Sequence, residues 1–152
     1  MTGVQETWEL LSKKLGAIDK IKHVDLWNRN IEFIDEDEAW ERPAVFVEFG
    51  PIEWSPLKVD AALDLYRGHG KVMFHVVTDW DSEKYNRAWR TTRHLRLAIH
   101  EMVEEGYLNM VYRTTRTNHD HGDILESIEE YGISYLVEVP GSDDEEDATL
   151  EE

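Results

Sequence analysis

Apolar residues recur at three- and four-residue steps through residues 81–106: Tyr85, Ala88, Trp89, Thr92, Leu95, Ile99, Met102 and Val103. At 3.6 residues per turn this spacing gathers them on one stripe of a helix, and such a stripe is buried against another element. Asp81 or Asp79 can accept the free amide hydrogens of the first turn, Glu83 suits the positive end of the helix dipole, and Gly106 supplies the left-handed residue that ends it. The predicted helix has roughly six or seven turns. A shorter one precedes it near the start of the chain. Thr2, three residues before Gln5, has the form of a capping box, and Val4, Trp8, Leu11 and Leu15 then share one face up to Gly16.

Elsewhere the period falls to two, which is the signature of strands. Across residues 20–33, Val24 and Leu26 alternate with Ile21, His23, Asp25 and Trp27, with a turn at Asn28-Arg29-Asn30 before Ile31 and Phe33. An acidic loop follows at Asp35-Glu36-Asp37-Glu38. Pro43 then opens Ala44-Val45-Phe46-Val47-Glu48-Phe49, a β-branched and aromatic run cut off by Gly50-Pro51 and expected as a central strand. Residues 52–70 fit two descriptions: Trp54 and Pro56 suit an extended arm, whereas residues 59–66 could form two helical turns. Gly68-His69-Gly70 reads as a turn before a third strand at residues 71–78. Residues 108–116 and 124–139 supply two more strands joined by a polar loop. The expected architecture is a single α+β domain over residues 1–140, in the order α-β-β-β-α-β-β, with an antiparallel or mixed sheet covered by two helices.

Beyond Pro140 the composition changes. Residues 141–152 carry Asp143, Asp144, Glu145, Glu146, Asp147, Glu151 and Glu152, with Leu150 as the one sizeable apolar group. This acidic tail wants a cationic surface, and one on a neighbouring copy is the expected anchor. The candidate surface is the off-stripe face of the long helix, because Lys84, Arg87, Arg90, Arg93 and Arg96 are five of the chain's 16 Lys and Arg residues. The whole chain has 33 acidic residues and a net charge of −17. That excess argues against binding nucleic acid through phosphates, which requires Lys and Arg to release counterions. The absence of cysteine removes disulfides, thiolate metal sites and thiol nucleophiles. No run of about 18 apolar residues is present, and the first residues lack the basic and apolar regions of a signal peptide, so neither a membrane span nor export by that route is expected.

Few residues suggest bond-making chemistry. His119, Asp120, His121 and Asp123 are imidazole and carboxylate groups of the kind that bind zinc, but no further ligand stands at a diagnostic spacing. Ser55, Ser82 and Ser127 lie in no nucleophile-elbow sequence, and Gly68-His69-Gly70 is too short to cradle phosphate. His75 and His100 fall in a strand and a helix, where packing and surface roles prevail. The unusual component is tryptophan, with six residues. Trp8 and Trp89 fall on the helix stripes and are expected in the core. Trp27, Trp40, Trp54 and Trp80 fall at strand ends and loops, where large amphipathic rings favour a surface for partners or sister copies.

The order of elements, together with the strands at residues 21–26, 43–49 and 71–77, Arg113-Thr114-Thr115-Arg116-Thr117, His119 and Asp120, and a last strand holding Tyr131 and Tyr135, resembles the tail terminator (tail completion) proteins of long-tailed bacteriophages. The resemblance spans residues 4–139. It implies a virion protein, assembled in the host cytoplasm, that forms a homo-oligomeric ring, usually a hexamer, at the head-proximal end of the tail. Such a ring stops tube polymerisation and joins the tail tube protein to the head–tail connector, without enzymatic activity, cofactor or membrane. Genome DNA would pass through its bore without specific binding, which a carboxylate-lined lumen favours. On this reading Arg87, Arg90 and Arg93 meet acidic neighbours, and Trp54 with the 52–70 arm docks onto an adjoining ring. Two alternatives stand beside it: another head–tail connector or tail tube component, and, from a different class, a small metal-dependent hydrolase using His119, His121 and Asp123.

Overall fold

Among the residues described by the computed structural model, 3–28, 40–59 and 63–140, two helices and six strands follow one another as α1 (Val4–Gly16), β1 (His23–Leu26), β2 (Ala44–Phe49), β3 (Glu53–Val59), β4 (Leu63–Asp79), α2 (Asn86–Glu104), β5 (Asn109–His121) and β6 (Ile124–Pro140). This is an α+β fold with one mixed sheet and two helices. The order has one strand more than the sequence pattern predicts, because the described residues of the 52–70 arm, 52–59 and 63–70, are extended. Its first half is β3, and its second half is the beginning of β4.

The sheet runs β1-β2-β4-β6-β5, with β3 also on β4. β4 and β6 pair antiparallel along their full length, from Leu63 opposite Pro140 to Asp79 opposite Ile124. The other edge of β4 is shared: β2 pairs with residues 72–77 and β3 with residues 64–69. β2 and β3 therefore act as one long strand interrupted at residues 50–52, where the Gly50 amide still donates to the Lys71 carbonyl at 2.9 Å. β1 joins β2 in parallel, the one pairing among the described residues that is not antiparallel. The Gly68-His69-Gly70 turn does not form. Both glycines are extended members of β4, and a Cβ at Gly68 would stand 2.7 Å from the Trp54 ring and 2.9 Å from Ile52. The missing side chain makes room for those two, so this glycine serves close packing rather than chain reversal.

Strand alternation divides the sheet into two faces. Val45, Val47, Val72, Phe74, Val76, Tyr131 and Ile133 meet Leu11 and Leu15 of α1 and Leu95, Ile99 and Met102 of α2 in the main core. Each such side chain, fully buried, contributes about 1.5–3 kcal/mol. A smaller cluster on the other face gathers Ala44, Phe46, Val77 and Ile124, with Trp27 and Trp40 packed against it. α1 begins with Gly3 as its N-cap, and the Glu6 carboxylate accepts the Gly3 amide hydrogen at 3.0 Å. The cap expected from Thr2 and Gln5 is replaced by this pair one residue further on, and Thr2 itself lies outside the described residues. α2 is shorter than the residue 81–106 stripe predicts. Asp81 organises a preceding turn through its carboxylate, which accepts the Glu83 amide hydrogen at 2.9 Å, and Lys84 at φ 54° keeps that turn out of the helix. Gly106, at φ 85°, follows the helix end as expected.

The strand at residues 108–116 runs on to His121, and the turn to β6 narrows to Gly122 (φ 63°) and Asp123. The expected strand residues Ile31 and Phe33, the acidic loop 35–38 and the tail 141–152 lie outside the described residues.

Candidate functional site

The turn before α2 gathers six charged groups at one corner of the molecule. Arg87 lies 3.3 Å from Asp81, 3.4 Å from Glu83 and 3.9 Å from Asp79, and Arg90 pairs with Glu83. Arg42 completes the group through Asp79 at 2.5 Å. The Arg90 guanidinium, assisted by Arg87, holds the Glu83 carboxyl below its ordinary value. Arg87 and Arg90 thus already have acidic partners within their own chain. Arg93, one turn on, is exposed and has no ion-pair partner among the described residues. Arg96 is turned inward to the sheet.

Behind Arg87 and Arg90 opens a cleft of about 290 Å³, lined by Lys20, Lys22, Arg87, Arg90 and His94 beside Pro43. Lys20 and Lys22 are exposed and, like Arg93, make no ion pair among the described residues. The sequence reading missed both lysines, because they sit on the approach to β1, remote in the chain from α2. The backbone bond from the Lys22 amide to the Pro43 carbonyl, 2.8 Å, fixes them beside the helix.

The tryptophans fall out differently from expectation. Trp89, expected in the core, is 61% exposed; it stacks on Tyr85 with ring centroids 5.5 Å apart. Thr91 and Ala98 occupy the buried stripe instead, so the buried face of α2 is rotated away from Trp89. Trp27, Trp40 and Trp80, expected to be left for partners, pack within the chain: Trp27 on His75, Trp40 against Phe46 and His23, Trp80 against Tyr85 and His119. Trp54 remains 45% exposed. It lies over Gly68 and beside Tyr135, with Leu57 also exposed on the same strand. Burial pushes the Tyr135 phenol up to about 12, and its oxygen has no hydrogen-bond partner among the described residues.

Two polar networks lie in the sheet, one on each face. On the face under Trp27, His75 Nδ1 is 2.5 Å from Glu126 Oε2 and its Nε2 is 2.7 Å from Glu48 Oε1, while Asn118 donates to the other Glu126 oxygen at 2.9 Å. Trp27 covers the imidazole at 3.7 Å, with the ring planes 3° apart. Both ring nitrogens face carboxylates and one ring face is blocked, so the imidazole ties β2, β4, β6 and β5 together and offers no free nitrogen to a substrate. On the helix face, Glu129 is fully buried and accepts from Arg96 at 2.7 and 3.1 Å and from Tyr112 at 2.8 Å, with Thr115 as a further donor. Burial opposes the Arg96 charge, but Glu129 outweighs it and the guanidinium is held above its ordinary value. Both carboxylates belong to an apolar strand, where the general excess of acidic residues disguises them as surface.

Of the His119 cluster, only His119 and Asp123 have described side chains. His119 Nε2 is hydrogen-bonded to the Tyr85 hydroxyl at 2.8 Å, and no group of three or more His, Asp or Glu able to hold a metal occurs among the described residues. Asp123 lies exposed in the β5–β6 turn, and the His121 side chain lies outside the described set. No protein-family model and no curated protein matches the chain.

Proposed function

We propose that this chain is a structural virion protein that assembles head-to-tail into a ring at the head-proximal end of a phage tail, ends tube polymerisation there and joins the tail to its connector. The observation that carries the reading is the separation of two unlike surfaces. At one end of the β4–β6 pair, β3 has an edge with no strand partner among the described residues and exposes Trp54 and Leu57. At the other end stand Lys20, Lys22 and the mouth of the cationic cleft, with Arg93 next to His94 on α2. Heterologous contacts join different patches of successive copies, and such contacts close into rings when the rotation per copy divides a full turn. A net charge of −17 suits a conduit that repels DNA phosphates. The resemblance to tail terminators supports the same reading.

Loss of the protein during phage assembly gives overlong tubes without heads, visible by electron microscopy. Tails of normal length joined to heads in its absence overturn the proposal. The same images of intact particles test the bore, which on this reading is lined mainly by Asp and Glu.

A further inference from the structure

We infer that the cleft between the approach to β1 and α2 receives the acidic tail, residues 141–152, of a neighbouring copy; this rests on the assembly reading above and specifies its contact. Charge complementarity is the first argument. Lys20, Lys22, Arg87, Arg90 and His94 line the cleft, and the tail brings five consecutive carboxylates, Asp143 to Asp147. Arg87 and Arg90 are already paired with Asp79, Asp81 and Glu83. Lys20 and Lys22 therefore supply the unmatched charge, with Arg93 near by on the same helix.

Reach is the second argument, and it selects a partner copy over the tail's own chain. Pro140 is paired with Leu63 at one end of β4. The cleft lies at the other end, where Pro43 precedes Ala44 and Ala44 is paired with Val77. Fourteen residues of strand, Leu63 to Val77, span about 45 Å. The seven residues from Pro140 to Asp147 reach about 25 Å fully extended. The acidic run therefore falls short of its own cleft, but it can enter that of a copy whose cleft end lies beside its arm end. That geometry is the head-to-tail repeat of a ring, in which each tail straps the next subunit.

The test uses full-length protein in an equimolar mixture of unlabelled and 15N-labelled chains, treated with a carbodiimide that joins lysine amines to carboxylates in contact. Mass spectrometry should find links from Lys20 or Lys22 to residues 143–147, with mixed-isotope pairs present. Reversing the cleft by Lys20→Glu with Lys22→Glu should weaken self-association in sedimentation about tenfold. Mixing that variant with one carrying Asp144→Lys and Glu146→Lys should restore it. Links confined to chains of one isotope, links to the acidic residues 35–38 in place of the tail, or association unchanged by the reversal each overturn the inference. A discrete multimer that shows any of these results leaves the ring reading standing. A chain that stays monomeric at every concentration and shows no mixed-isotope link removes the strap, while the tube phenotype decides the ring reading separately.

Discussion

The two ends of the β4–β6 pair are built from the same two strands and differ in what covers them. At the Asp79–Ile124 end both faces are enclosed, and every residue from Ile124 to Glu129 is buried, Glu126 and Glu129 included. At the Leu63–Pro140 end stand the exposed Trp54 and Leu57 of β3 and Val139 of β6, and the buried Tyr135 hydroxyl has no hydrogen-bond partner among the described residues. The buried carboxylates, Glu126 and Glu129, and their hydrogen-bond partners lie toward the first end. The second presents apolar surface, and exposed edge strands with large apolar groups are where sister molecules pair.

The sharpest way to break this contrast is to cut a polar network at the enclosed end. Glu129→Ala removes the acceptor shared by Arg96, Tyr112 and Thr115 and leaves a guanidinium facing the sheet without its partner. The expected loss is about 3 kcal/mol, read as a lower denaturation midpoint with an unchanged denaturant slope. A loss below about 1 kcal/mol would mean that this end is held by its apolar contacts alone.

At the open end, the matching change is Trp54→Ala. About half of the indole is already wet, so the expected loss of folding stability is only about 1.5 kcal/mol, while self-association weakens by a larger factor. A variant that loses as much stability as Glu129→Ala and assembles normally would show that Trp54 belongs to the core and that the two ends are alike.

The same contrast explains how much of the molecule is legible in its sequence. β2, the upper half of β4 and the core stripe of α1 are legible because burial imposes a period of 2 or 3.6 on Val45, Val47, Phe74, Leu11 and Leu15, and period is a local signal. The arm was open to two descriptions because Trp54, Pro56, Leu65 and Gly68 take their conformation from pairing with β4 and β6 rather than from their own propensities. Trp89 and Trp27 exchanged their expected places for a related reason. A helical stripe wide enough to include Trp89 does not say which of its edges faces the sheet, and Trp27 is half-buried against a histidine 48 positions away. The cationic face of α2 was visible as Arg87, Arg90 and Arg93. Its two lysines were not, because only the folded chain brings residues 20 and 22 beside residues 87–94. The Asp79, Asp81 and Glu83 partners were equally hidden, since first-turn acids are expected to face the helix dipole rather than side chains.

The smallest effect expected is a pH dependence at the corner that joins this turn to α2. Arg90 and Arg87 hold the Glu83 carboxyl below its ordinary 4.5, and Lys14 does the same for Glu101 where α1 meets α2. A carboxyl whose folded-state value is depressed contributes stability that is fully present above the unfolded value and is lost as pH falls through the folded one. Wild type and Glu83→Gln should therefore differ above about pH 4.5 and converge as the solution is acidified below it, with the change confined to the start of α2 and screened by salt. Hydrogen exchange at the amides of residues 86–90 can follow this directly. A gap between the two proteins that stays constant from neutral pH into acid would show that Glu83 acts there through packing. The arginines of this corner would then be less committed to their own chain than their distances indicate, and freer to meet a neighbour.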